Sequence, residues 1–198
     1  MILLINPESP KTSPWGLSKM LPPLGLAYIA GMLEKHGFKV QIFDNYLYEK
    51  PLKYIQRMVE KLNPEIVGIG CNSLNYRKCV ETAKAVKEAN PNCRVVVGGP
   101  HPSYMPETML QHKQIDYVVV GEGERAMVEL ATLLLRGESE KVKDIPGIAF
   151  KQNGKVVRNE PVLIDNLDEI PFPARHLLPM NQYDRTINFL SVKPVDIM

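Results

Sequence analysis

Two stretches of this 198-residue chain end in residues suited to holding a ligand. Arg94-Val-Val-Val-Gly-Gly-Pro-His-Pro102 and Tyr117-Val-Val-Val-Gly-Glu-Gly-Glu124 are each an apolar run closed by glycines. Glycine has no Cβ, so a flat ligand can come close to the backbone there. The candidate binding residues of these two stretches are Gly98, Gly99, Pro100 and His101, and Gly121, Glu122 and Gly123. Two more segments follow apolar runs in the same way. One supplies Asn72, Ser73 and Leu74, and the other supplies Pro23 and Gly25. Together they form a wide rim of apolar groups, hydroxyls and glycine backbone.

Such a rim suits a large, flat, uncharged ligand better than a phosphate. The segment after the first apolar run has no G-x-G-x-x-G and no G-K-[ST], which weakens any nucleotide reading. The first run ends in Asn6-Pro7 and not in paired carboxylates, so it is a poor phosphorylation-receiver site. No nucleophile and base stand at a spacing that suggests hydrolysis.

Strands and helices must alternate to bring these loops together. Four or five consecutive apolar residues read as strands buried on both faces. They fall at residues 2–5, 39–43, 66–70, 94–97 and 117–120. Helical patterns lie between them, at Pro23–His36 with Gly37 as C-cap, Leu52–Leu62, Asn75–Ala89, Pro106–His112 and Arg125–Arg136. Five β-α units in series predict a five-stranded parallel sheet with helices on both faces. The expected strand order is the flavodoxin-like 2-1-3-4-5, with all the candidate loops on its carboxyl edge. After about residue 145 the pattern changes. Gly147–Arg158 reads as a hairpin turning at Asn153-Gly154, and Leu167–Pro173 as an extended, acidic linker. The expected organisation is an α/β domain at 1–145, a hairpin extension at 146–166, and a linker with the start of a further unit at 167–198. The tail, 187–198, reads as a severed strand that is disordered or pairs with another chain.

Composition narrows the function classes. At 44% apolar and 23% charged, the chain is an ordinary globular sequence. A net charge of +2, without a Lys or Arg run, argues against nucleic acid. No segment approaches the roughly 20 apolar residues of a membrane span. Cys71, Cys79 and Cys93 lack metal-ligand spacing and read as reduced thiols of a cytoplasmic protein. Cys71, at a strand end, reads as buried packing. His36 and His112, near helix ends, read as surface residues favoured by the helix dipole.

The chain resembles the N-terminal cobalamin-binding domain of cobalamin-dependent radical S-adenosylmethionine enzymes. The likeness is carried by Ile2-Leu-Leu-Ile-Asn-Pro7, Pro22–Leu33, Val67-Gly-Ile-Gly70, Val97-Gly-Gly-Pro-His101, Asp116–Glu124 and Leu167–Pro173. It implies cobalamin as the cofactor. The methionine-synthase type of domain presents a histidine to cobalt from the loop after strand one. Between Asn6 and Gly25 this chain has neither Asp nor His. The resemblance therefore implies a base-off cobalamin with no histidine beneath the metal and no protein ligand to cobalt. Gly98 and Gly99 would open a slot for the nucleotide tail. Ser73 would hydrogen-bond near the buried ring, and Glu122 and Glu124 would accept from corrin amides. Trp15 is a further candidate contact.

In that family the linker enters a partial barrel whose first strand precedes a three-cysteine cluster motif. Pro194–Met198 resembles that strand without the cysteines. An iron–sulfur cluster and S-adenosylmethionine are thus expected only outside this chain. The chain by itself is read as a cobalamin-binding module of a methyl-transferring radical S-adenosylmethionine enzyme, with the catalytic barrel as partner, and not as an enzyme. The competing reading is a cobalamin-free scaffold or interaction domain of the same fold.

Overall fold

The apolar runs pair side by side because each can bury both faces only inside a sheet covered by helices. The computed structural model describes residues 1–9 and 21–183. The first five strands are β1 (Ile2–Asn6), β2 (Val40–Asp44), β3 (Ile66–Gly70), β4 (Arg94–Gly98) and β5 (Tyr117–Val119). All their pairings are parallel, in the expected order β2-β1-β3-β4-β5. Trp15 and the tail 187–198 lie outside the described residues.

The sheet has seven strands and not five. The hairpin, β6 (Ile148–Gln152) and β7 (Lys155–Arg158), was expected as a separate extension. It instead adds antiparallel to β5. The reason lies in Ile148, Ala149 and Phe150, consecutive residues that are all buried. Ile148 and Phe150 join the core on one face of the sheet and Ala149 the core on the other. Without β6, the groups of β5 would form an open edge. The edge passes to β7, where Lys155 and Arg158 are exposed. Asn153 and Gly154 both take positive φ, 51° and 77°, as a two-residue turn of this kind requires.

Helices α1 (Leu24–Lys35) and, later in the chain, α7 (Gly123–Arg136) cover one face of the sheet. Helices α3 (Leu52–Leu62), α4 (Tyr76–Ala89) and α6 (Pro106–Gln111) cover the other. Two short helices were not expected. The first is α2 (Asn45–Tyr48), whose start is capped by Asp44 accepting from the Tyr46 N–H at 3.1 Å. The second is α5 (Pro100–Tyr104), which begins directly after Gly99. Helix α7 starts at Gly123, two residues before the expected Arg125.

The segment expected as a free linker is docked. It forms a 3-10 turn at Leu167–Glu169 and then crosses α1. The Ala174 N–H donates to the Ala27 carbonyl at 2.9 Å, and Lys35 Nζ donates to the Glu169 carbonyl at 2.8 Å. Gly31 permits the crossing, since a Cβ there would lie 2.8 Å from the Phe172 carbonyl oxygen. Gly→Ala inside a helix ordinarily stabilises by about 0.5–1 kcal/mol. At Gly31 the sign should reverse. Gly31→Ala is expected to lower stability by about 1–3 kcal/mol, because the added methyl meets backbone. Urea unfolding tests this, and a stabilised variant would show that the segment does not press on α1.

Candidate functional site

Alternation along the strands puts Leu4 of β1, Gly68 and Gly70 of β3, Val96 and Gly98 of β4, and Val119 of β5 on the face covered by α1 and α7. Gly70 and Gly98 are direct neighbours across the β3–β4 ladder. The sheet therefore has a bare patch at its carboxyl edge, close to the β1/β3 switch point where ligands of such folds bind. Above the patch, Leu26 and Ile29 of α1 face Gly123 and Met127 of α7. The result is a cleft of about 450 Å³.

Of the expected binding residues, Pro23, Gly25, Asn72, Gly98, Gly99, Pro100, Gly121, Glu122 and Gly123 all line this cleft. Ser73, Leu74 and His101 do not. Leu74 is exposed in the loop after β3. Ser73 Oγ lies 3.3 Å from His101 Nδ1, and the His101 ring packs on Tyr76 with centroids 4.8 Å apart. Tyr76 Oη in turn meets His112 Nε2 at 2.7 Å, so His112 is tied to this cluster and is not a simple surface residue. Sequence reasoning missed Gly68, Gly70, Leu26, Ile29 and Met127. The signal for the first two was present. Glycines two apart in a buried strand leave one face bare.

The two glycines expected to act alike have different roles. A Cβ on Gly98 would sit 3.4 Å from Val119 Cβ, an ordinary contact. A Cβ on Gly99 would lie 2.5 Å from the Cys71 carbonyl oxygen, and Gly99 has φ +112°. Gly99 therefore serves the close approach of β4 to β3, while Gly98 leaves space in the cleft. Glu122, expected to face a ligand amide, accepts from the Ile164 N–H at 2.9 Å and so anchors the segment after the hairpin.

Ser103 fixes the two glycine loops to each other. Its hydroxyl donates to the Gly99 carbonyl at 2.9 Å and accepts from the Gly121 N–H at 3.0 Å. Ser103→Ala is expected to cost about 1–2 kcal/mol by removing both bonds. Chemical denaturation checks this, and an unchanged midpoint would count against the bridge. The loop after β3 is held from within. Asn72 Oδ1 accepts from the N–H groups of Leu74 and Asn75, and Asn75 Oδ1 accepts from that of Asn72. On the other side of the mouth, Asn6 Nδ2 donates to Asp44 at 2.8 Å. Burial raises the Asp44 carboxyl above its usual range, although Tyr183, Asn6 and backbone N–H groups pull it back down.

The thiols are not placed for reaction. Burial pushes Cys93 up to about 12. Cys79 is raised by its hydrogen bond with Cys71 and by burial. Cys71 is itself buried, as expected. Among the described residues no group of three or more His, Cys, Asp or Glu could hold a metal ion. Among them, too, no helix is long and apolar enough to cross a membrane.

Residues 18–131 match the B12 binding domain family, and the chain belongs to it. Its sequence is similar to an uncharacterized methyltransferase of Pyrococcus horikoshii, 41% identical over 92% of this chain and 39% of that protein. It is also similar to the cytidylyl-2-hydroxyethylphosphonate methyltransferase of Streptomyces wedmorensis, 30% identical over 92% of this chain and 41% of that protein. The chain thus spans about two fifths of the length of these relatives. Its fold matches that of OxsB, a cobalamin-dependent S-adenosylmethionine radical enzyme solved with aqua-cobalamin bound. The TM-score is 0.75 at 19% identity, over 92% of this chain and 25% of that one. The resemblance to the cobalamin-binding domain of radical S-adenosylmethionine methyltransferases is thereby supported at the level of sequence family and of fold.

Proposed function

We propose that this chain holds base-off cobalamin, with the nucleotide tail in the cleft and no histidine beneath cobalt, for a methyl-transferring radical enzyme. The observation that carries this reading is the patch at Gly70 and Gly98, neighbours in register where a larger side chain would take up space in the cleft. The apolar lining fits a flat aromatic ring, and the macrocycle would sit above it at the carboxyl edge of the sheet. When bound, cobalamin would supply a cobalt centre able to carry a methyl group.

The protein's part is binding and orientation. Gly70 and Gly98 admit the ring, and Leu26, Ile29 and Met127 exclude water from it. Ser103 holds the flanking loops in register. Asn72 and Glu124 stand at the mouth, where amide and carboxylate groups can meet corrin amides. His101 points its Nδ1 at Ser73 and lies outside the cleft lining, which supports a metal without a protein imidazole. The docked segment after residue 167 would lead toward the catalytic barrel, which selects the substrate and carries the cluster and S-adenosylmethionine. The three buried, free thiols fit a reducing cytoplasm.

Titration of the purified chain with hydroxocobalamin tests the reading. The expected result is saturable one-to-one binding with the absorption spectrum of a base-off corrinoid. His101→Ala is expected to leave that spectrum unchanged. Absence of binding would favour the cobalamin-free scaffold, and a spectral change in His101→Ala would place that imidazole on cobalt.

A further inference from the structure

The inner part of the cleft floor carries apolar side chains. Leu4, Val96 and Val119 floor it beside Gly68, and Ile29 and Met127 roof it. The strands beneath are paired with one another through their ladders. Among the described residues, the buried side-chain atoms without a hydrogen-bond partner are His101 Nε2 and Arg175 Nε, and neither residue lines the cleft. The lining side chains that do carry polar atoms belong to strand ends, loops and the first turn of α7. Asn6 Nδ2 is committed to Asp44, the side-chain oxygens of Asn72 and Asn75 to backbone N–H groups, and one Glu122 oxygen to the Ile164 N–H, while Glu124 stands at the mouth. A ring lying against the row of Leu4, Gly68 and Val96, further in than Asn6, Gly70 and Gly98, meets no polar atom of those side chains.

The geometry points to a selectivity that rests on the cobalamin reading above and goes beyond it: the cleft discriminates among corrinoids by the polarity of their lower base. It accepts an apolar base, dimethylbenzimidazole or a phenolic ring, and disfavours a purine. Adenine brings an exocyclic amine and additional ring nitrogens that leave water on binding. A buried polar group with no partner weakens binding, and one such loss is enough for about a tenfold change (about 1.4 kcal/mol). Apolar pockets reject an analogue that merely adds a polar group by no more than about a hundredfold. The expected discrimination lies between these limits. Room alone does not produce it, because the cleft of about 450 Å³ is not closed around one shape.

Equilibrium titration of the purified chain, followed by calorimetry and corrinoid absorption, compares four probes. They are cobalamin, p-cresolylcobamide, adeninylcobamide and cobinamide, which lacks the base. Cobalamin, whose base must leave cobalt and buries one ring nitrogen, is expected to bind no more tightly than p-cresolylcobamide, with adeninylcobamide about ten- to a hundredfold weaker than cobalamin. If adeninylcobamide binds as tightly as cobalamin while cobinamide stays weak, the selectivity is overturned and the cobalamin reading stands. Equal binding of all four removes the tail from the cleft, and the selectivity with it. No binding by any probe overturns the cobalamin reading itself. Val96→Thr adds a hydroxyl to the floor at nearly constant volume. In this variant, checked for folding by thermal melting, the gap between adeninylcobamide and cobalamin is expected to narrow. An unchanged gap would rule out lining polarity as its cause.

Discussion

Gly98→Val is expected to lower cobalamin affinity by about ten- to a hundredfold while the thermal midpoint stays within a few degrees of the parent's. The Cβ position itself is tolerated, at 3.4 Å from Val119 Cβ. The two γ-methyls would then extend toward the cleft, which Gly98 lines beside Gly70. Filling a packed site in this way costs about 1–3 kcal/mol, and each 1.4 kcal/mol is a factor of ten in affinity. The fold has little to lose, because the new atoms enter the cleft and not the core. Hydroxocobalamin titration beside a thermal melt separates the two effects. Unimpaired binding by a folded Gly98→Val protein would mean that the ligand does not occupy the patch.

Gly99→Val, one residue on, should instead fail to fold stably. Its φ of +112° is a conformation that a β-branched residue rarely adopts, and strain of this kind costs about 1–3 kcal/mol. The Cβ would also lie 2.5 Å from the Cys71 carbonyl oxygen. That oxygen cannot easily retreat, since the Cys71 N–H is held by the Gly98 carbonyl at 2.8 Å. A total loss above about 4 kcal/mol is expected, a large part of the roughly 5–15 kcal/mol that stabilises a typical domain. Urea unfolding, or the yield of soluble protein, reads this out. A Gly99→Val protein with the parent's unfolding midpoint would show that β3 and β4 can separate at this point.

The five parallel strands and their order were legible because their causes are local. Runs such as Ile2–Ile5 and Val95–Val97 are apolar without alternation, and Asn63-Pro64, Asn90-Pro91 and Gly137 stop the helices between them. The family resemblance was legible for the same reason, since its motifs are short and contiguous. The hairpin's place was harder to read. Ile148-Ala-Phe150 announced burial on both faces, but nothing local said which edge would cover it. Only the open side of β5 decided that. In the same way, Leu167–Pro173 reads as a linker by its prolines, while the docking surface for it is Gly31, far away in sequence.

The sequence by itself determined which loops would share an edge, since strand ends and glycines are written in the order of residues. It also established that the loop after β1, from Asn6 to Gly25, offers cobalt no histidine. The tertiary structure alone decided what each glycine does. Gly70 and Gly98 become one patch only because register places them side by side across the β3–β4 ladder. Gly99 becomes a structural glycine only because the Cys71 backbone passes beside it. Glu122, expected as a ligand contact, lines the cleft and also accepts from the Ile164 N–H, 42 residues on. These distinctions depend on through-space distances between segments remote in the chain, and spacing along a sequence carries no measure of them.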